Sequence, residues 1–266
     1  MGIQGLLSYC LEHRAECAVF ENLVDVSARN RGIEILVDFY SFEHHLLSNF
    51  WKSLGSCSRN PYLRFLGGEY GAFDSYVSKL VSDLKALDIH LVMFIDGAKG
   101  SSKVVREQKF ETWKYRHTQD LRTLHDLLDV VRGGKRIEDL AETQWVRPVL
   151  LEIQVLQTLK ECGCEVVQIS CGEADYVLAR NLKKRPKAYA ILSNDSDYCI
   201  FEDCKFIPLE LFDVNKDLNL GAIDQWLPEK PIRLMCGILT ADVIAGHFEV
   251  HSKDFQFCLM FSKCWR

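Results

Sequence analysis

The chain has 266 residues, 48% hydrophobic and 26% charged, with a mean hydropathy of −0.06. That balance excludes a disordered chain, and the absence of any run of about 18 apolar residues excludes a bilayer-spanning helix. Thirty-two basic and 37 acidic residues give a net charge of −5, which excludes a globally basic nucleic-acid binder but not local basic patches.

The opening MGIQGLLSYCLEHRAEC has neither a basic n-region nor a sustained apolar core, so it does not read as a secretory signal. Leu6 stands where a myristoylation signal needs Ser or Thr. From there, short apolar runs alternate with longer amphipathic stretches, the pattern of strand–helix units around a mainly parallel sheet. The first expected strand is Ile33–Asp38, and His44–His45 after it read as a helix-surface pair rather than transition-metal ligands. A helix follows over Ala72–Leu87, where Phe73, Tyr76, Val77, Leu80, Val81, Leu84 and Leu87 recur at spacings of three and four. Ile89–Asp96 is the second strand.

Residues 97–147 differ in character. They open on GAKGSSK and carry Lys99, Lys103, Arg106, Lys109, Lys114 and Arg116 against Glu107 and Glu111. A helical segment with Leu121, Leu124, Leu127 and Leu128 follows, then the turn RGGKR. A crossover between two strands needs far fewer residues, so the excess reads as a functional protrusion.

Beyond it, Pro148 is expected at the first position of a helix reaching Lys160, with Leu151, Val155 and Leu159 on one side. Strands are expected at Cys164–Ser170, Lys187–Ser193 and, more briefly, Lys205–Leu209. A helix starts from Gly172, and Lys183–Lys184–Arg185 read as its solvated end. Residues 230–240 form an apolar helix candidate, and residues 249–266 an undetermined tail. The 11 cysteines, odd in number and without a C-x-x-C pair, read as reduced intracellular thiols, mostly small buried apolar groups; Cys162 and Cys164 lack the partners of a soft-metal site.

The acids carry the most information. Asp38 and Asp96 end the first two strands, Glu173 and Asp175 follow the third, and Asp195 and Asp197 follow the fourth. Ligands of open parallel sheets bind outside the carboxyl ends of the strands, so these six acids are expected on one rim. One such acid is an ordinary helix N-cap. Six together repel one another, and divalent cations with oxygen ligands, Mg²⁺ or Mn²⁺, compensate that repulsion. Two such ions about 4 Å apart suit phosphodiester hydrolysis.

With Met1–Leu6 reading M-G-I-Q-G-L, the chain resembles the flap-endonuclease (XPG-like) superfamily over about residues 1–248, and within it looks most like the asteroid branch. The resemblance rests on Asp38 in LVDFYS, Asp96 in FIDG, Gly172–Asp175 as G-E-A-D and Asn194–Asp197 as N-D-S-D. Asp242, in GILTAD, matches the family's last acid. It implies an α/β fold with a PIN-like twisted, mainly parallel sheet flanked by helices. Residues 99–147 would be an inserted helical arch-like segment between parts 1–98 and 148–248 of one nuclease domain.

It also implies two metal ions, Mg²⁺ or Mn²⁺, held by Asp38, Asp96, Glu173, Asp175, Asp195, Asp197 and Asp242. Lys103, seven residues after Asp96, matches a catalytic lysine, and Lys109, Lys114 or Arg116 is left as its second cation. Gly2, Lys99, Arg106, Trp113 and Lys114 are implied in holding nucleic acid, with Tyr115 beside Trp113 as a stacking ring. His44 takes the place of the aromatic that commonly stacks a base, and Val243 replaces the usual Tyr after the last acid. The family's helix-two-turn-helix does not follow within the 24 residues after Asp242.

The activity implied is a metal-dependent structure-specific endonuclease acting on DNA with single-stranded or flap character, with RNA as an alternative substrate, in the nucleus and away from membranes. The rival from another class is a nucleic-acid-binding or transcriptional-coactivator scaffold that kept the fold and lost turnover. A small-molecule phosphatase would have no use for the basic insertion.

Overall fold

A computed structural model describes residues 3, 5–54, 69–96, 103–134, 146–148, 150–170, 173–212, 233–251 and 253–255. Within them the chain runs α1 (Leu6–Glu12), α2 (Arg14–Cys17), β1 (Val19–Asn22), α3 (Leu23–Asn30), β2 (Ile33–Asp38), α4 (Phe39–Leu54), α5 (Tyr70–Ala86) and β3 (Ile89–Asp96). It continues through α6 (Lys103–Arg132), α7 (Leu151–Glu161), β4 (Glu165–Ile169), α8 (Ala174–Lys184) and β5 (Ala188–Ser193). A 3₁₀ turn (Ser196–Ile200), β6 (Phe206–Pro208), a second 3₁₀ turn (Leu209–Leu211), β7 (Met235–Ile238) and α9 (Ala241–His247) follow.

Five strands form one sheet in the order β4-β3-β2-β5-β6, and every neighbouring pair is parallel. Successive side chains of a strand point to opposite faces, and here both faces are covered. Ile33, Ile35 and Val37 of β2 pack on one side with Phe42 and Phe50 of α4, Val77 and Leu84 of α5, and Val155 and Leu159 of α7. Leu36 of β2, Val92 and Phe94 of β3 and Ile191 of β5 pack on the other side with Leu6 and Cys10 of α1, Leu178 and Leu182 of α8, and Ile244 of α9. Burial on both faces explains why these strands read as continuous apolar runs. Each expected strand of this sheet is present, with ends displaced by a residue or two.

Three expectations are corrected. The apolar stretch 230–240 is not a helix in its described part. Met235–Ile238 pairs antiparallel with β1, Val19 opposite Ile238 and Asn22 opposite Met235, and Leu239 exchanges two backbone hydrogen bonds with Phe206 at 2.9 and 2.7 Å. A short apolar run is helical or extended according to what lies beside it, and here two strand edges needed partners. Gly237 packs closely there, since a Cβ would lie 2.6 Å from Leu211 Cδ1 and displace that side chain. Pro148 is not the first residue of its helix either; α7 starts at Leu151, whose N–H reaches the Pro148 carbonyl at 3.2 Å. Finally, Arg185 is no solvated helix end. It donates to Glu34 through Nε at 2.7 Å and to both oxygens of Glu165 at 3.0 and 2.6 Å, tying the C-terminus of α8 to β2 and β4.

The described cysteines are free thiols; Cys10, Cys17, Cys164, Cys199, Cys204 and Cys236 are buried and Cys162 is half-buried. Cys162 is the C-cap residue of α7. In the tail, Phe255 is buried and stacks on Phe248 with ring centroids 5.6 Å apart, while residues 256–266 lie outside the described residues. No helix among the described residues is long and apolar enough to cross a membrane.

Candidate metal centre

The parallel sheet delivers its strand ends to one rim. Asp38 ends β2 and Asp96 ends β3, both half-buried. Beyond β4, Glu173 is the N-cap residue of α8 and stays exposed, while Asp175 in the first turn of α8 is half-buried. Beyond β5, Asp195 caps the 3₁₀ turn, its Oδ1 accepting the Asp197 N–H at 3.0 Å.

Among the described residues, the acids that draw together are Asp175, Asp195 and Asp197, each offering a carboxylate oxygen within 4.8 Å of the other two. Asp175 is pushed up from its ordinary 3.8 to about 6, first by burial and then by Asp195, with Asp38 and Asp197 adding to the effect. Asp38 therefore belongs to the same electrostatic neighbourhood. Asp96, Glu173 and Asp242 are outside the three-acid group; Asp242 lies exposed in the first turn of α9, after the Thr240 cap.

Two serines that the sequence does not flag hold this arrangement. Ser41 and Ser193 both donate to Asp38 Oδ2, at 2.6 and 2.8 Å, and Ser193 Oγ also accepts the Asp195 N–H at 3.1 Å. The fully buried Ser193 thus couples the acid of β2 to the acids after β5. Its place two residues before Asp195 was the only visible signal. Ser196, between Asp195 and Asp197, donates to the Ile3 carbonyl at 3.0 Å and so ties the N-terminal segment to the acid turn. Gly2 itself lies outside the described residues, as does Lys99.

The chemistry of this donor set fits a hard divalent cation. Three carboxylates offer oxygens within 4.8 Å of one another, and a hard cation bound among them would offset their mutual repulsion. The electrostatics give a testable consequence. A carboxyl whose folded-state pKa is raised contributes stability that is full below its unfolded value and lost as pH rises through the folded one. The metal-free protein is therefore expected to lose up to about 3 kcal/mol between pH 4 and 6 through Asp175. Thermal melts in EDTA across that range check this, with Asp175→Asn expected to flatten the slope; equal slopes in the two proteins would refute the assignment.

The basic protrusion is a 30-residue helix, α6, about 45 Å long at 1.5 Å per residue. Lys103, Arg106, Lys114 and Arg116 are exposed along it, with Lys103 Nζ 3.8 Å from Glu107. The side chain of Lys109 lies outside the described residues. Phe110, Trp113 and Tyr115 face solvent at 63, 48 and 65% exposure, so these aromatics are not core residues. On α4, His44 is exposed; its imidazole is pushed below its usual value by its packed surroundings and by Arg147, while Asp120 of α6 pulls the other way.

No protein-family model matches the chain. Over 257 residues, 95% of its length, it is 27% identical to the human "single-strand DNA endonuclease ASTE1", of which it covers 31%. It is 25% identical over 158 residues, 59% of its length, to the bovine "constitutive coactivator of peroxisome proliferator-activated receptor gamma", covering 20% of that protein. The chain thus spans a third or less of these relatives. Among solved structures it is similar to the catalytic core of Rad2 in complex with DNA substrate, with a TM-score of 0.48 and 15% identity over 96% of this chain and 60% of that one. The resemblance of its N-terminal and carboxylate motifs to the flap-endonuclease superfamily is thus accompanied by a sequence similarity to an ASTE1 protein that runs through 95% of the chain.

Proposed function

We propose that the chain is the nuclease domain of a divalent-metal-dependent endonuclease that hydrolyses phosphodiester bonds in DNA of single-stranded or flap character. The observation that carries the reading is the convergence of Asp175, Asp195 and Asp197 within 4.8 Å on the carboxyl rim of a parallel sheet, with Asp38 acting on the same group. Mg²⁺ or Mn²⁺, most simply as a pair, would supply an activated water and stabilise the leaving oxygen. Asp175, Asp195, Asp197 and Asp38 would hold the ions from the centre of the rim, and Asp96, Glu173 and Asp242 from its border.

The remaining groups bind and orient. Lys103, which opens α6 seven residues after Asp96, would offset charge on the scissile phosphate, with Lys109, Lys114 or Arg116 as its neighbour. Arg106 and Lys99 would grip the strand's backbone, and Trp113 and Tyr115 would stack on unpaired bases. His44, its imidazole pushed below its usual value by its packed surroundings and by Arg147, would present its ring to a base. Gly2 would approach phosphate through its backbone, and a nuclear location follows from a DNA substrate. Residues 1–248 would form this domain.

The test is cleavage of labelled flap, single-stranded and duplex DNA and single-stranded RNA with Mn²⁺, Mg²⁺ or EDTA, alongside Asp96→Ala. Metal-dependent cutting that Asp96→Ala abolishes is the expected result, with single-stranded or flap DNA preferred. Metal-independent strand binding without cutting would favour the second reading, a nucleic-acid-binding or coactivator scaffold, which draws on the name of the bovine relative.

A further inference from the structure

The helix α8 leads away from the acid rim, and its two sides differ. Leu178 and Leu182 are buried against the sheet. At 3.6 residues per turn, Tyr176, Arg180, Lys183 and Lys184 fall on the opposite side, and all four are exposed. Lys183 Nζ lies 3.2 Å from Asp203 Oδ2, whereas Arg180 and Lys184 enter no ion pair among the described residues. Tyr176 follows Asp175 directly and is 66% exposed, yet it is not a loose surface ring. It packs on the half-buried Phe201 with centroids 5.4 Å apart, and Phe201 in turn meets the fully buried Tyr198 at 5.8 Å. One side of the ring is braced through Phe201 to the core, while most of its surface stays open to solvent.

We propose that this side of α8 is a binding track for single-stranded nucleic acid, in which Tyr176 stacks on an unpaired base beside the acid cluster and Arg180 and Lys184 contact the phosphates that follow. The inference rests on the strand-binding part of the proposed function and goes beyond it, because it fixes where the strand runs on leaving the acids. The helix α4, with His44, covers one face of the sheet and α8 covers the other, so the acid rim lies between them. A strand brought to the acids from the α4 side therefore leaves over α8. The chemistry of the face matches that occupant. Three cations on one side of a helix stand out in a chain of net charge −5, and their spacing suits a repeating anionic backbone. An exposed ring supported from one side offers a flat surface to any base. Tyr176 and Lys184 stand about 12 Å apart along the helix axis, so the track holds a short stretch of strand rather than one nucleotide.

Fluorescence anisotropy of a labelled oligothymidine in Ca²⁺ tests the idea, with the wild type, Tyr176→Ala, Tyr176→Phe and the double variant Arg180→Ala with Lys184→Ala. Tyr176→Ala is expected to bind about 10-fold more weakly, the scale of one lost base–aromatic stack, and Tyr176→Phe to bind as the wild type does. In the double variant the slope of log Kd against log salt is expected to be shallower by about 1.4, the value for two phosphate contacts on a single strand. A strand of abasic nucleotides should not distinguish Tyr176→Ala from the wild type. An equal loss on both strands would mean that the ring acts through the fold and would overturn its stacking role. Wild-type affinity in Tyr176→Ala, with an unchanged salt slope in the double variant, would overturn the track while leaving the nuclease reading standing. Strand binding that depends on Tyr176 without metal-dependent cleavage would keep the track and overturn the nuclease reading. If the wild type bound no strand, both would fall.

Discussion

Asp195→Asn is expected to reduce metal-dependent cleavage by about 10³-fold or more, the scale of removing one major electrostatic contribution to a transition state. The substitution is chosen because it isolates charge from structure. Asp195 Oδ1 accepts the Asp197 N–H at 3.0 Å, and an asparagine oxygen caps a turn equally well, so the 3₁₀ turn should persist. What disappears is one of three negative charges whose oxygens lie within 4.8 Å of one another, and with it a ligand for a hard cation. Asp195 is also the carboxylate that acts most strongly on Asp175, so relieving it should stabilise the metal-free protein. The two effects have opposite signs, and measuring both separates a functional group from a merely structural one. Cleavage at the wild-type rate by folded Asp195→Asn would remove the centre from consideration.

Arg147→Ala should be the most damaging single change to stability away from the acids. Arg147 Nη2 lies 2.6 Å from Glu43 Oε2 and 3.5 Å from Glu152 Oε2, and the Tyr40 hydroxyl donates to Glu152 Oε1 at 3.0 Å. The Glu43 side chain is only 2% exposed, and its other oxygen is buried without a hydrogen bond. Burial pushes its pKa up despite the opposing guanidinium. Removing one partner of a buried pair leaves an uncompensated charge, a loss of roughly 3 kcal/mol here; that is the low end of the range because Arg147 is partly exposed and Glu43 can take up a proton. For a chain of this size that is a fall of about 6–12 °C in melting temperature.

The deficit should shrink at acidic pH, where a neutral Glu43 no longer needs the cation. Replacing both members, as Glu43→Leu with Arg147→Met, should recover most of the loss. A single variant melting within about 2 °C of the wild type would show that the pair does not hold α4 against α7. The consequence reaches function through α4, which carries His44 one residue after Glu43 and leads directly from Asp38.

Much of this architecture could be read from residue order because its period is local. Ile33–Asp38 and Ile89–Asp96 are apolar throughout since both faces of their sheet are covered, and Phe73 through Leu84 mark α5 by spacings of three and four. The acids at the strand ends were legible for the same reason: in a parallel sheet every strand points its carboxyl end the same way, so position along the chain implies position on the rim. The resemblance to the flap-endonuclease superfamily rests on those positions and MGIQGL.

What only the tertiary structure decided concerns neighbours distant in sequence. Met235–Ile238 became a strand because β1, more than 200 residues earlier, offered an edge. Asp175, Asp195 and Asp197 drew together while Asp242 stayed apart, which no spacing along the chain prescribes. Ser193 was recruited as the link from Asp38 to Asp195, and Tyr198 turned its hydroxyl inward, although either residue type is common beside an Asp. Local composition sets what a segment can form and which side chains carry charge. Hydrogen-bond partnership and the repulsion among carboxylates depend on separations of a few ångströms, and only the folded chain supplies those.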